Sequence, residues 1–453
     1  MALHTLSPLD GRYTSETAPL REFFSEFAYL RSRVRLELDY LSRLSRTGLI
    51  PAETVSRLGV DEQGFTEENA RRIQQYEKTT RHDVKAIEYF LRERTPPEVH
   101  PWIHFGLTSE DVNNIAQAIA LRDSRDRVLL PALDQLIATL SEFAKTYRAL
   151  PMLARTHGQP AVPTTLGKEI AVYIARLYKS RGELAHHRFE AKLTGAIGNL
   201  NAFRAAAPHV DWLSLTREFI KSFDLEPNLA TTQILPYDNW VQYFDTLRLT
   251  NTSLIGYTQD VWRYISDGIL IQKAIAEEVG SSTMPQKVNP IDFENAEGNL
   301  GIANALLTHY GQKLPVSRLQ RDLSDSTVRR TFGVALGHTL LAWNNIARGM
   351  RRVSADEKRI QQELNEHWEI ISEGAQTILR AAGQGDAYES LKSHIRGRVL
   401  DESSYRRWVE MLTIDEETRQ RLLALSPDTY LGLAIEITDA VIQGTVDHNR
   451  SVE

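Results

Sequence analysis

The sequence predicts an all-α fold organised around a bundle of long helices. Three observations predict it: two long intervals without proline, apolar residues recurring at helical spacing within and beside them, and a scarcity of strand-like alternation. Proline breaks helix interiors, so the intervals from Pro163 to Pro208 and from Pro236 to Pro285 are where long helices can run.

The second interval carries Val241, Phe244, Leu247, Leu254, Tyr257, Val261 and Ile265 on one helical stripe. Leu133, Leu136, Leu140, Phe143 and Tyr147 step by three and four residues, and so do Phe293, Ala296, Leu300, Ala303, Leu307 and Tyr310. Such near-heptad seams pack helices lengthwise at shallow crossing angles. In an isolated subunit the Phe293–Tyr310 seam is expected to be poorly covered, which favours association. Two composition shifts bound the long-helix region: the turn-rich Thr95–Pro101 and the charged Arg351–Arg359. The last segment, with Trp368, Ile370, Tyr430 and Leu431, reads as a smaller helical cap.

At 453 residues the chain exceeds what one compact core usually reaches, so more than one domain or an elongated one is expected. Hydrophobic residues at 42% and charged residues at 25% supply an ordinary globular core. The net charge of -6 argues against a polyanion-binding protein, so no nucleic-acid partner is expected. A few local arginines and lysines can still hold a small anion. The lack of cysteine excludes disulfides, thiolate nucleophiles and Cys-ligated metals. The start of the chain, Met1 to Tyr13, lacks a signal-peptide pattern, and no apolar run approaches the roughly 20 residues needed to span a bilayer. A cytoplasmic protein without membrane contact is therefore expected.

Four segments concentrate polar chemistry. Gly280–Pro290 separates two helical runs with small polar residues, two prolines, Lys287 and Asn289. It reads either as a plain connector or as a mobile lid hinged at Gly280, with Lys287 and Asn289 as donors to a carboxylate. Arg155–Thr165 sets His157 in a Gly/Pro-rich turn before a strong helix. His157, and His82 beside Asp83, are either structural histidines or general acid–base groups. Thr108-Ser109-Glu110-Asp111 is a helix start with a capping box, and its free N–H groups also suit a substrate carboxylate. Arg318, Arg321, Asp322, Ser324, Asp325, Ser326, Arg329 and Arg330 form either a solvated face or a phosphate cradle of Arg321, Ser326 and Arg330, with Arg12 and Tyr13 as further candidates.

Together these segments resemble the fumarase/aspartase superfamily, whose lid signature is matched by Gly280 to Asn289, and within it the adenylosuccinate lyase family. The likeness runs from Ser7–Tyr13 through Thr108–Asp111 and Arg155–Pro160 to Asp325–Arg330. The lid alone points only to the superfamily; the Thr156–Ala161 turn and the Asp325–Arg330 segment point to this branch.

The resemblance implies three helical domains, 1–97, 98–350 and 351–453, the middle one being the long-helix bundle with the lid at 280–290. It further implies a homotetramer with active sites shared between subunits, and no metal or cofactor is expected. The expected substrates are two purine-pathway nucleotides, adenylosuccinate and succinylaminoimidazole carboxamide ribotide, each losing fumarate. In that scheme Ser281 is the general base, His157 the general acid and His82 its assistant. Lys287, Asn289, Thr108, Ser109 and Gln233 hold the succinyl part. Arg12, Tyr13, Arg321, Ser326 and Arg330 hold the phosphate, and Arg81, Asp83 and Thr156 complete the binding set.

One departure is Gln286, histidine in some close relatives and glutamine in argininosuccinate lyases. Argininosuccinate lyase is accordingly the alternative activity, disfavoured by the phosphate set. A catalytically silent scaffold is the alternative outside enzymes, disfavoured by intact His157, Ser281, Lys287 and Asn289.

Overall fold

The computed structural model describes residues 4–51, 53, 64–273, 284, 287–385 and 400–444. Among them the fold is built from α-helices, with a few short strands. Long helices fall where proline is absent or confined to a first turn: Leu130–Thr146, Leu166–His186, Asp238–Ser266, Ile291–Lys313 and Phe332–Met350. The chain divides into two compact units. Unit 1 is Met1–Ala132, Ser180–Thr252 and Asn299–Leu341; unit 2 is Leu133–Lys179, Ser253–Gly298 and Ala342–Glu453.

Most residues of the predicted seams lie on the buried faces of these helices; Tyr147, Val241 and Ile265 are half-buried. Leu133, Leu136, Leu140, Phe244, Leu247, Leu254, Tyr257 and Val261 are all buried. Every residue of the Phe293–Tyr310 seam is also buried within the single chain, with at most 1% of its surface exposed. The expectation that this seam lacks cover in one subunit is therefore corrected. The chain supplies its own cover: in unit 1 the Tyr310 ring packs 5.1 Å from those of Phe244 and Phe332. In unit 2 the backbone at Gly349 comes so close that a side chain there would meet the Phe293 ring. The exposed apolar residues of the long helices are others, including Leu249 and Ile302 in unit 1 and Trp262 and Ile291 in unit 2.

Unit 1 adds the helices Glu26–Ser45, Glu67–Thr80, Asp83–Arg94, Ser109–Ser124 and Trp212–Lys221. The Ser109–Ser124 helix has no charged residue between Asp111 and Arg122, and most of its positions are buried. Its start is tied down as the capping pattern predicts: Asp111 Oδ2 accepts the backbone N–H of Thr108 at 2.9 Å. Asp111 also pairs with the fully buried Lys192 at 2.8 Å and accepts the backbone N–H of Thr194 at 3.0 Å. Burying a carboxylate is costly unless it is paired and hydrogen-bonded in this way.

Unit 2 contains a feature the sequence reading lacked, an antiparallel hairpin of Pro151–Thr156 and Gln159–Thr165. Pro151, Pro160 and Pro163 obscure it, since proline in a run argues against a strand. A two-stranded ribbon tolerates them because each strand has a free edge. Arg155 makes an ion pair with Glu363 of the Glu357–Asn365 helix, and Tyr147 Oη accepts the backbone N–H of Ala355 at 3.1 Å. No described helix is long and apolar enough to cross a membrane.

Candidate active site

Unit 1 gathers one group of the predicted residues. Arg81 ends the Glu67–Thr80 helix in the left-handed conformation, φ 52°, and reverses the chain. His82 then caps the Asp83–Arg94 helix: its Nδ1 accepts the backbone N–H of Lys85 at 3.1 Å. That contact requires Nδ1 to be unprotonated, so the neutral ring carries its proton on Nε2. The His82 side chain is 53% exposed.

Asp83 belongs to an ion-pair cluster. Its Oδ2 lies 2.7 Å from Arg33, which is buried, and 3.8 Å from Arg330. Arg330 also lies 3.9 Å from Glu26 and is about half exposed. Burial opposes the charge on Asp83, but Arg33, the Val84 backbone N–H and Arg330 outweigh it and hold the carboxyl below its ordinary value. Asp83 therefore pairs with arginines instead of orienting His82, whose Nδ1 is 4.0 Å from Asp83 Oδ1.

A second cluster joins Gln233, Arg321 and Glu110. Arg321 Nη1 donates to Gln233 Oε1 at 3.1 Å and lies 3.4 Å from Glu110 Oε2. Gln233 Nε2 donates to the Ala196 carbonyl at 3.0 Å. That approach depends on Gly198, at φ 89°, where an added Cβ would sit 2.0 Å from the Thr231 carbonyl oxygen. Glu110 is completely buried and also takes Arg329 at 2.8 Å and the Tyr237 hydroxyl at 2.7 Å. Burial raises the Glu110 pKa, but Arg329, Arg321 and the Tyr237 hydroxyl together reverse this and hold it below the ordinary range.

Thr108 and Ser109 are half-buried at the start of the helix that carries Glu110, so Glu110 links them to Arg321 and Gln233. Ser326 is half-buried within the short Ser324–Arg329 helix, while Arg12 is exposed, with its guanidinium 5.8 Å from the Tyr13 ring centre.

Unit 2 holds the remaining described candidates. Thr156 pairs with Gln159 across the hairpin, and His157 and Gly158 form the two-residue tip. Their φ values of 55° and 75° are both positive, the requirement of a type I′ turn, which matches the twist of the flanking strands. Thr156 and His157 are exposed. Lys287 is exposed, and its backbone N–H donates to the Met284 carbonyl at 3.1 Å; Asn289 is half-buried. Of the predicted lid, Gly280, Ser281, Ser282, Thr283, Pro285 and Gln286 lie outside the described residues. Among the described residues no cluster of histidines and carboxylates suits a metal ion.

Sequence reasoning read Glu110 only as part of a helix start and Arg329 as one charge in a run; it singled out neither Arg33 nor Tyr237. A signal for Glu110 was present. The charge-free stretch from Val112 to Leu121 marks a buried helix, and a glutamate at the head of a buried helix must find a cation.

A family described as Lyase matches residues 11–303, and one described as Adenylosuccinate lyase C-terminal matches residues 317–431. An adenylosuccinate lyase of Haemophilus influenzae is 44% identical over 448 residues, spanning 96% of this chain and 98% of the relative. That of Escherichia coli K12 is 43% identical, spanning 97% and 98%, and that of Dictyostelium discoideum is 42% identical, spanning 95% and 97%. Among solved structures, a fumarate lyase from Mesorhizobium sp. BNC1 superposes with a TM-score of 0.77 at 18% identity, covering 94% of this chain and 98% of the other. A 3-carboxy-cis,cis-muconate lactonizing enzyme from Pseudomonas putida gives 0.77 at 21% identity, covering 94% and 97%. These two support the helical fold alone. The near full-length identity goes further, and with it the chain is a lyase that belongs to the adenylosuccinate lyase family.

Proposed function

We propose that the enzyme releases fumarate by β-elimination from adenylosuccinate, giving AMP, and from succinylaminoimidazole carboxamide ribotide, giving aminoimidazole carboxamide ribotide. The observation that carries this reading is the likeness to adenylosuccinate lyases over nearly the whole chain. In the reaction a carbon-bound proton leaves, the carbon–nitrogen bond breaks and the nitrogen gains a proton. Ser281 takes the first proton and His157 supplies the second, assisted by His82. Loss of the carbon-bound proton places extra negative charge on the neighbouring carboxylate. Lys287, Asn289, Thr108, Ser109 and Gln233 stabilise it as donors.

Arg12, Tyr13, Arg321, Ser326 and Arg330 hold the phosphate, with Arg81, Asp83 and Thr156 completing the substrate contacts. The exposed hairpin tip supports the acid role, since His157 is open to a ligand. The exposed Leu249, Trp262, Ile291 and Ile302 support a homotetramer in which each site combines segments of several subunits. The same reading keeps 1–97, 98–350 and 351–453 as domains and places the enzyme in the cytoplasm, free of nucleic acid and membrane.

The decisive assay offers adenylosuccinate and argininosuccinate side by side and follows fumarate. Release from adenylosuccinate alone is the expected result. Release from argininosuccinate alone overturns the substrate assignment.

A further inference from the structure

We propose that Glu110 is a positioning residue that sets the guanidinium of Arg321 for the substrate. The inference rests on the reading above, in which Arg321 holds the phosphate and Gln233 the succinyl part.

Glu110 is buried to 0% exposure and has a partner on each of three segments. Oε1 accepts the Tyr237 hydroxyl at 2.7 Å, from the chain just before the Asp238–Ser266 helix. Oε2 accepts Arg329 at 2.8 Å and lies 3.4 Å from Arg321. Arg321 is held a second time by Gln233 at 3.1 Å. Glu110 itself follows Ser109 at the head of its helix. One carboxylate thus ties together the segments bearing Thr108 and Ser109, Gln233, and Arg321.

The partners differ in freedom. Arg329 is almost fully buried and also lies 3.0 Å from Asp325, so it is a structural counter-charge. The Arg321 side chain is 16% exposed, placing it at the rim of the cluster, where the rest of its guanidinium can reach a ligand while Glu110 and Gln233 hold Nη1. A long side chain held by two partners keeps less rotamer freedom to lose when substrate binds, so Glu110 contributes affinity without touching the substrate. Losing a hydrogen bond to a charged group commonly costs about tenfold in binding or more.

The test compares KM and kcat on the phosphorylated substrate and on its dephosphorylated nucleoside analogue. Glu110→Gln keeps an acceptor for Tyr237 but loses the charge. It is expected to raise KM for the nucleotide about tenfold, with kcat changed far less and the nucleoside much less affected. Tyr237→Phe removes a partner of Glu110 without touching Arg321, and its KM is expected to rise far less than that of Glu110→Gln. The double variant Glu110→Gln/Arg321→Ala is expected to discriminate nucleotide from nucleoside no worse than Arg321→Ala alone. If Glu110→Gln does not fold, Glu110→Asp, charged but one methylene shorter, is measured with the same expectation for KM.

A folded Glu110 variant with wild-type discrimination overturns the positioning role, provided Arg321→Ala has lost discrimination. Unchanged discrimination in Arg321→Ala instead shows that the phosphate reading itself has failed. A rise in KM as large in Tyr237→Phe as in Glu110→Gln means that the cluster acts only by supporting the fold.

Discussion

His82 Nδ1 accepts the backbone N–H of Lys85 at 3.1 Å, so an imidazole caps the Asp83–Arg94 helix where a hydroxyl or carboxylate usually does. Nδ1 is thus spent on the helix cap, and Nε2 takes no part in it.

The two roles separate by substitution. His82→Asn retains a cap acceptor and is expected to melt with the wild type, whereas His82→Ala loses about 1 kcal/mol of stability. Both are expected to lose turnover if His82 assists the proton transfer. Thermal melts beside fumarate-release rates check this, and wild-type turnover in His82→Asn removes His82 from the chemistry.

His157 stands at φ 55° on the hairpin tip, a conformation asparagine tolerates better than alanine. His157→Asn is expected to fold and assemble normally while turnover drops by roughly 10²–10⁴, the usual worth of general acid–base catalysis. Co-refolding it with Ser281→Ala tests whether sites are shared between subunits, because in the proposed tetramer mixed assemblies would contain some intact sites. Recovered fumarate release is the expected outcome. Verified mixed tetramers without activity place both groups on one chain, or make one assignment wrong.

Arg330 lies 3.8 Å from Asp83 and 3.9 Å from Glu26 and is half exposed, so these pairs contribute at most about 1 kcal/mol to stability. Arg330→Ala is therefore expected to melt close to the wild type while binding the phosphorylated substrate roughly tenfold or more weakly. The nucleoside analogue is expected to be little affected. Equal impairment on both substrates excludes the phosphate role.

His104 Nδ1 sits 2.6 Å from the fully buried Glu37, which also accepts the His104 backbone N–H at 3.1 Å. Burial lowers the His104 pKa, but Glu37, with Glu88 and Asp111 nearby, more than reverses this, so the folded value is raised. A raised histidine contributes its stability fully below the unfolded value of about 6.5, and loses it as pH rises through the folded value. The double variant His104→Asn/Glu37→Gln replaces the pair with neutral groups. The melting-temperature gap between wild type and this variant is expected to be largest below about pH 6.5 and to narrow at higher pH. A gap independent of pH means that the pair does not titrate in this window.

Local interactions were legible in the sequence, because the residues that make them are neighbours along the chain. The two proline-free intervals marked the Leu166–His186 and Asp238–Ser266 helices, the Thr108–Asp111 pattern marked a helix start, and His157-Gly158 marked a tight turn. Each depends on backbone chemistry within a few residues. The seam residues of the long helices were legible for a similar reason, since helical periodicity brings them onto one face. What covers that face was not, and the sequence reading wrongly left the Phe293–Tyr310 seam to a partner subunit. The roles of the charges were decided only in three dimensions. Glu110 and Arg329 are 219 positions apart, and nothing local tells a solvated arginine from one buried against a carboxylate. Removing an ion from water is so costly that burial and pairing must arise together, and the tertiary structure alone supplies both.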